Sequence, residues 1–364
     1  MIKNIQYKKL GEICDFISGG TPSKSKNEYW KNGNIPWIKI SDFKEKYIKY
    51  SDEKITKNGL ENSSAKLLKK GTILYTIFAS VGKVAILDIE ATTNQAIVGV
   101  NLKENNLVDK DFLYYFLCSI ENNIKRQARG VAQNNINISI LKNVCIPILP
   151  ISSQKNIVKT LMRLENILEN FKQKKILINF LNKSLFTTMF GDIKTNDKNW
   201  EMYYWKDILN IKNGKNQKQV EDINGKYPIY GSGGIIGRSN AYICNENSII
   251  IGRKGNINKP ILVKEKFWNV DTAFGLEVKS EKMSYHYLYY FCLFYDFEIH
   301  NKAVTIPSLV KSDLEKIVLP VPPIELQNKF AERIEKITKL SFEIEEAIKE
   351  AENLYNSLIS KYFD

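Results

Sequence analysis

The chain has 364 residues, of which 53 are Lys or Arg and 40 are Asp or Glu, so its formal net charge is +13. This length allows two or more domains, and the apolar fraction of 43% is ordinary for a globular protein. No apolar run reaches the roughly 18 residues of a membrane span, and the N-terminal residues lack the apolar core of a signal peptide. We therefore expect a cytoplasmic protein without membrane contact, and the basic charge favours a polyanionic partner such as nucleic acid.

The dominant feature along the chain is an internal repeat, whose period is the size of a domain. The offset between matching segments falls from 195 to 173 along the globular part and then stays at 173. The matching pairs are "KLGEICDFISGG" (9–20) with "YWKDILNIKNGK" (204–215), "TILYTIFASVGKVAIL" (72–87) with "SIIIGRKGNINKPILV" (248–263), "TNQA" (93–96) with "VDTA" (270–273), "FLYYFLCS" (112–119) with "YLYYFCLF" (287–294), "IPILPISSQKNIV" (146–158) with "LPVPPIELQNKFA" (319–331), and "KSLFTTMFGD" (183–192) with "NSLISKYFD" (356–364). The changing offset predicts globular parts that differ by insertions, followed by parts held in fixed register.

The globular part of each half reads as a mixture of strands and helices. Short β-branched and aromatic runs such as "IPWIKI" and "SIIIG" predict strands, and Gly, Asn and Ser clusters separate them. The segment "DFLYYFLCSIENNIKRQA" (111–128) predicts a buried helix, because its apolar residues recur at helical spacing. The sequence therefore predicts the α+β class for each globular part.

A long helix is predicted after the second proline of each "Pro-x-x-Pro" junction, because apolar residues there follow alternating steps of four and three. Lys175, Asn182 and Ser341 interrupt the two series. These apolar residues form a stripe along each helix, which we call the helix seam. The seam lies at the same position of the repeat in both helices, so we expect the helices to pack on each other as a coiled coil. The predicted interface residues are Ile157, Leu161, Leu164, Leu168, Phe171, Ile178 and Leu185 in the first helix, and Phe330, Ile334, Ile337, Ile344, Ile348, Tyr355 and Leu358 in the second.

The positive charge is concentrated outside the two predicted helices. Residues 154–192 hold seven basic and three acidic side chains, whereas residues 325–364 hold six basic and nine acidic ones. A general Lys bias would have loaded both helices, so this distribution raises the case for nucleic-acid binding by the globular parts.

Catalytic signatures are not found in the sequence. No Walker A motif or methyltransferase signature occurs, and the only two histidines, His286 and His300, lie in the second half. The five cysteines are scattered without a Cys-x-x-Cys spacing, which argues against a zinc site or a disulfide framework. The sequence predicts a binder without catalytic or metal-ligating residues.

Two basic α+β domains, each ending in a "Pro-x-x-Pro … Gln" junction and a long heptad helix, resemble the DNA-specificity subunit of type I restriction-modification systems. The resemblance is carried by the two junctions, by the ends "KSLFTTMFGD" and "NSLISKYFD", and by the opening "KLGEICDFISGGTPS". It implies two target-recognition domains at 1–151 and 203–323, spacer helices at 152–192 and 324–364 packed as an antiparallel coiled coil, and a linker at 193–202.

The resemblance also implies a function and partners. Each domain would read one half of an asymmetric bipartite site in double-stranded DNA, and helix length would set the gap. Modification (methyltransferase) subunits, two of them expected, would dock along the helices and use S-adenosylmethionine, and a restriction (motor–nuclease) subunit would use ATP and Mg. No cofactor or metal is expected in this chain.

Candidate DNA-binding residues follow from the chemistry of contact with phosphates and base edges, which uses Lys, Arg, Asn, Gln, hydroxyl groups and closely approaching backbone. In "GRKGN" two cations lie on a Gly-flanked turn after a predicted strand. The candidates are Gly19, Gly20, Thr21, Ser23, Thr76, Ser80, Lys83, Asn94 and Gln95 in the first half, and Gly231, Ser232, Gly233, Gly234, Arg238, Arg253, Lys254, Asn256 and Lys259 in the second.

Two other classes of function remain open at this stage. A coiled-coil scaffold with protein-binding globular ends would also explain the repeat and the helices. A stand-alone nuclease or methyltransferase would fit the basic charge, although the missing motifs argue against it.

Overall fold

The computed structural model describes residues 5–103, 107–120, 136–303 and 305–363. It divides into two units, one made of residues 1–170 and 348–364 and the other of residues 171–347. The division cuts both long helices near their middle. Each unit therefore contains one globular part and a segment of each helix.

The first globular part surrounds a mixed five-stranded sheet in the order β2-β9-β6-β7-β4. A three-stranded sheet (β5-β3-β8) and a strand pair (β1-β10) complete it. Its elements are β1 Gln6–Lys9, α1 Leu10–Ile13, β2 Cys14–Ser18, β3 Ile35–Ile38, β4 Tyr47–Ile48, β5 Lys54–Ile55, α2 Lys57–Glu61, β6 Ile73–Thr76, β7 Val84–Leu87, β8 Thr92–Thr93, β9 Ile97–Leu102, α3 Lys110–Ser119, α4 Ile138–Asn143 and β10 Cys145–Ile148, followed by the long helix α5 Ile151–Phe190. The helix predicted over 111–128 is thus described as α3, and positions 121–128 lie outside the described residues.

The second globular part repeats this plan with one strand fewer in the large sheet. Its sheets run β12-β18-β15-β16 and β14-β13-β17, and a strand pair β11-β19 matches β1-β10. Its elements are β11 Glu201–Tyr204, α6 Trp205–Ile208, β12 Leu209–Asn213, β13 Tyr227–Gly231, β14 Gly234–Ser239, β15 Ser248–Gly252, β16 Ile261–Val263, β17 Trp268–Asn269, β18 Ala273–Val278, α7 Tyr285–Phe294, α8 Lys311–Leu314 and β19 Val318–Val321, followed by α9 Ile324–Phe363. The predicted α+β class and its duplication are confirmed.

The two long helices run antiparallel in the second unit, as predicted. In the second unit Lys175 forms an ion pair of 2.8 Å with Glu345, and the rings of Phe190 and Phe330 lie 5.0 Å apart, so rising numbers on α5 meet falling numbers on α9. Among the predicted interface residues, Ile157, Leu161, Leu164, Ile178, Phe330, Ile334 and Ile344 are buried, whereas Leu168, Phe171, Leu185, Ile337, Ile348, Tyr355 and Leu358 are half-buried.

The ends of the long helices also complete the globular cores, which the heptad pattern alone does not indicate. In the first unit Phe363, near the end of α9, packs on Phe112 with ring centroids 5.2 Å apart. In the second unit Phe190, at the end of α5, packs on Tyr287 at 4.8 Å. Phe190 and Phe363 are 173 positions apart, so the same aromatic contact is repeated in both units.

A buried glutamine fixes each globular part to the start of its long helix. Gln154 Oε1 accepts a hydrogen bond of 2.8 Å from the Asp109 amide, and its Nε2 donates to Leu107 O (2.8 Å) and Leu149 O (2.7 Å). Asp109 is the N-cap residue of α3. This glutamine clamp therefore ties the strand-to-helix junction to the main internal helix of its domain.

The glutamine clamp recurs in the second unit. Gln327 Oε1 accepts from the amide of Ser284, the N-cap of α7, at 2.8 Å, and its Nε2 donates to Lys282 O (2.9 Å) and Pro322 O (2.7 Å). Both glutamine side chains are fully buried.

Over the described residues, no helix is long and apolar enough to cross a membrane.

Candidate nucleic-acid interface

The hairpin formed by β13 and β14 ends in the glycine-rich tip that the sequence analysis selected. Gly231 and Gly234 face each other across the tip, and Gly234 has a φ of +127°, a conformation that favours glycine. A register shift between Ile229 and Tyr230 bends the hairpin near this end. The sequence Gly-Ser-Gly-Gly thus builds a tight turn in which the backbone can approach a ligand closely.

The loop that follows β15 presents the basic candidates. Its backbone is anchored because the Arg253 amide donates to Thr272 O (2.8 Å) and the Gly255 amide donates to Pro307 O (2.9 Å). The side chains of Arg253, Lys254, Asn256 and Lys259 are exposed. An anchored backbone with exposed cationic side chains suits phosphate contact, because the backbone needs little further ordering on binding.

The structure brings these two candidate segments together. The Asn256 side-chain nitrogen lies 3.5 Å from the position that a Cβ would take at Gly233, and Ser232 Oγ lies 3.9 Å from the corresponding position at Gly255. We call the resulting surface the tip surface of the second unit. It consists of Ser232, Gly233, Gly234, Ile235, Ile236, Arg253, Lys254 and Asn256.

Two residues of the tip surface were missed by the sequence reasoning. Ile235 and Ile236 are 62% and 55% exposed. Adjacent residues in a strand point to opposite faces, so a strand that packs on a core buries one of two adjacent isoleucines. Their position in the sequence, directly after the glycines of the turn, could have identified them. Residues at the tip of a hairpin project beyond the rest of the sheet and are therefore not covered by it.

Two candidates, Arg238 and Thr76, make hydrogen bonds that hold local structure. Arg238 donates from Nε to Gly225 O (2.6 Å) and from Nη2 to Lys226 O (2.8 Å), although its side chain is exposed. Thr76 is fully buried, and its hydroxyl contacts Ser80 O and accepts from the Lys83 amide (2.9 Å). Thr76 therefore closes the turn that leads to Lys83 and has no group at the surface.

In the first unit the glycine pair packs against the loop of the polar candidates. The Gly20 amide donates to Thr93 O at 2.8 Å, and a Cβ at Gly19 would overlap Asn94 O. The Thr21 hydroxyl hydrogen-bonds the exposed Gln95 side chain.

The remaining first-half candidates lie on nearby or tethered segments. Ser80 is half-exposed and Lys83 is exposed, and the turn containing them joins this loop because the Ile77 amide donates to Ala96 O at 2.8 Å. Ser23 is exposed, and its carbonyl accepts from Trp30 Nε1 at 3.1 Å.

Three of the five cysteine thiols, those of Cys14, Cys244 and Cys292, are buried. Burial raises the pKa of the Cys14 and Cys244 thiols to about 12 each and raises that of Cys292 as well. These thiols are therefore protonated at neutral pH and poor nucleophiles. Among the described residues, no group of three or more His, Cys, Asp or Glu side chains could hold a metal ion.

Comparison with known proteins identifies the class that this duplicated architecture defines. The family model for the type I restriction modification DNA specificity domain matches the chain twice, over residues 2–179 and 197–352. The chain belongs to this family of DNA specificity proteins.

Individual relatives and solved structures agree with that assignment. The chain is 26% identical to the type I restriction enzyme MjaIX specificity subunit of Methanocaldococcus jannaschii, over 99% of this chain and 92% of that protein. It is 32% identical to the EcoR124I/EcoR124II specificity subunit of Escherichia coli over 56% of this chain and 48% of that protein. The crystal structure of a type I restriction-modification S subunit from M. genitalium matches 99% of this chain and 96% of that chain with a TM-score of 0.62 at 19% identity, which shows a shared fold.

Proposed function

We propose that this chain is the sequence-specific DNA-binding subunit of a type I restriction-modification assembly. The proposal rests on the repeated glutamine clamp. In each unit it joins a globular part to the start of a long helix in the same way, although the two globular parts differ in their surface loops. Membership of the DNA specificity family supports it. In this proposal residues 1–151 and 203–323 are target-recognition domains, and the chain itself performs no catalysis.

The two domains read different half-sites in this proposal. The second domain presents the tip surface, in which backbone, two isoleucines and two cations lie together. The first domain presents the polar group of Thr21, Asn94 and Gln95 instead. Because these surfaces differ, the full site is asymmetric.

The spacer helices set the gap between the half-sites. Each of α5 and α9 is a continuous helix of 40 residues, or about 60 Å at 1.5 Å per residue. Two weak readers linked by a rigid spacer bind tightly only to half-sites at the matching separation.

Modification subunits dock along the helices, and they supply the S-adenosylmethionine chemistry, while a restriction subunit supplies ATP- and Mg-dependent translocation and cleavage. Exposed apolar side chains on the helices support protein docking there, since large exposed apolar patches mark interaction sites. They include Leu177 at 63%, Phe180 at 67% and Phe342 at 63% exposed.

The proposal is tested by measuring the affinity of the full chain for duplexes that contain both half-sites at varied spacing. We expect one preferred spacing and an affinity that falls steeply as salt rises. Equal affinity for random duplex, or binding of a protein partner without DNA affinity, would contradict it and favour the scaffold alternative.

A further inference from the structure

A surface cavity of about 770 Å³ lies in the second unit between strand β16, helix α7 and helix α9. Its wall includes Leu262 from β16, Tyr289 and Tyr290 from α7, and Glu335 from α9. Among the described residues, strand β16 is the last strand of its sheet and its outer edge has no neighbouring strand. Ile261 and Leu262 of this strand line the cavity.

The first unit shows what fills the equivalent place. There the edge of β7 is covered by β4, which pairs with it in parallel, Tyr47 opposite Ile86 and Ile48 opposite Leu87. Two hydrogen bonds hold the strands together, from the Ile86 amide to Lys46 O (2.8 Å) and from the Asp88 amide to Ile48 O (2.9 Å).

The side chain that precedes β4 fills the space next to α3. Lys46 Nζ lies 4.5 and 4.7 Å from the ring centroids of Tyr114 and Tyr115 and 3.2 Å from Asp111 Oδ1. This ammonium group is therefore held by two aromatic faces and one carboxylate.

Among its described residues, the second unit retains the two tyrosines and lacks the strand. The position of Asp111 holds His286, whose Nε2 lies 3.6 Å from the Glu335 carboxylate, so Glu335 supplies the carboxylate on this side. By the repeat, Leu262 and Lys264 correspond to Ile86 and Asp88, and Tyr289 and Tyr290 correspond to Tyr114 and Tyr115. Within the described part of the chain, the Lys264 amide makes no backbone hydrogen bond.

The missing strand has a simple origin in the chain. In the first unit, 18 positions separate the paired residues Pro36 and Lys54 on β3 and β5, and β4 lies in this connection. In the second unit, only 10 positions separate their counterparts Pro228 and Arg238, because β13 turns directly into β14. The connection is too short to provide an edge strand.

A buried acceptor in the same cavity also lacks a donor. Asn182 Oδ1 is buried and has no hydrogen-bond partner among the described residues. Its counterpart in the repeat, Tyr355, donates its hydroxyl to Glu165 at 3.1 Å. An unpaired buried acceptor is unfavourable, so a ligand that brings a donor is favoured here.

We propose that the edge of β16 binds an extended segment of a partner polypeptide as a fifth, parallel strand, with a basic side chain placed over Tyr289 and Tyr290. This inference does not rest on DNA binding. The acceptors for the basic side chain are Asn182 Oδ1 and the Glu335 carboxylate, which both line the cavity. Lys264 and Lys339 line it too and suit acidic residues elsewhere in the segment. The partner's strand gains main-chain hydrogen bonds of the kind that β4 makes, and the tyrosines select the side chain.

The test uses the full chain and a synthetic peptide with the sequence of residues 44–52, KEKYIKYSD, because this segment fills the equivalent site. We expect saturable binding by fluorescence anisotropy, at least fivefold weaker for the Lys46→Ala version of the peptide and not detectable for a scrambled one. Hydrogen exchange should slow at the amides of 262–264 when the peptide is bound. Binding equal to the scrambled peptide, or protection confined to 86–88, would overturn the proposal.

Two variants separate the edge from the cavity. Leu262→Pro removes the amide that corresponds to the outward-facing amide of Ile86, and proline is tolerated on the solvent side of an edge strand. We expect it to abolish peptide binding, whereas Leu262→Ala retains it.

The second variant, Asn182→Leu, replaces the unpaired acceptor, so we expect a raised Tm and a fivefold or greater loss of peptide affinity. This variant keeps the proposal testable even if the proline variant does not fold. Unchanged affinity in Asn182→Leu would contradict the assigned role of the cavity.

Discussion

Gln154 and Gln327 make the same three hydrogen bonds in two units that otherwise differ in strand number and loop length. Each side chain is buried, accepts from the N-cap residue of the domain helix and donates to two carbonyls, one of them in the junction itself. The amide is suited to this task because it carries one acceptor and two donors. The glutamine in the repeated junction therefore specifies how a variable domain joins its helix.

Replacing the clamp should destabilise the chain strongly. Gln327→Leu keeps the size of the side chain and removes the partner of the part-buried Ser284 amide, the part-buried Lys282 carbonyl and the buried Pro322 carbonyl. Each unsatisfied group costs about 1–3 kcal/mol, so we expect a loss of about 3 kcal/mol or more in the free energy of unfolding. Denaturant titration measures this, with Asn328→Ala at the exposed neighbouring position as the control. A change below about 1 kcal/mol would show that the clamp is not needed for the joint.

The tip surface should contribute phosphate contacts. Removing the exposed cation in Lys254→Gln should weaken binding to all duplexes alike and reduce the slope of log affinity against log salt by about 1. The control is Lys336→Gln, an exposed lysine on α9. If Lys254→Gln changes the preferred sequence but not the salt slope, this lysine reads a base instead.

The exposed isoleucines should read thymine methyl groups. Apolar side chains contact the C5-methyl group of thymine in the major groove, which also admits a two-stranded ribbon such as β13–β14. We expect uracil in place of thymine at one position of the second half-site to weaken binding by the wild-type chain, and to have no effect on Ile235→Ser/Ile236→Ser. An equal effect of uracil on both chains would remove the isoleucines from base reading.

His286 should make the stability depend on pH. Burial lowers its pKa below the ordinary 6.5, although the Glu335 carboxylate at 3.6 Å opposes this shift and Lys264 adds to it. The unfolded chain therefore binds this proton more readily, so the stability is complete above about pH 6.5 and falls as the pH drops below it. His286→Gln should flatten the fall in Tm between pH 7 and pH 5, and an unchanged slope would contradict the assignment.

Sequence patterns predicted the features that depend on periodicity. The helix seam follows from the spacing of residues such as Leu161 and Ile344, and both are buried as expected. The repeat can be recognised because the strand-to-helix junction and the long helix after it keep a constant offset of 173 positions between the two halves. These features depend on residue type at regular positions, which the sequence states directly.

Features that depend on contacts made in the folded chain could not be predicted from the sequence. Thr76 has the chemistry of a DNA contact, but it is buried and its hydroxyl is used by nearby backbone groups. Two backbone carbonyls accept hydrogen bonds from Arg238, which stays exposed. The contact of Asn256 with the hairpin tip joins segments that no local pattern connects. Strand β4 has only two residues, too few for an alternation of apolar and polar side chains to be recognised.

The most direct test of the central claim is a genome-wide map of methylated bases in cells that express this chain with its modification subunits. If two different target-recognition domains are joined by spacer helices of fixed length, the motif should be asymmetric and bipartite, with one constant gap. A domain exchange that replaces residues 203–323 should then change only one half of the motif. A contiguous or palindromic motif, or a variable gap, would contradict the account.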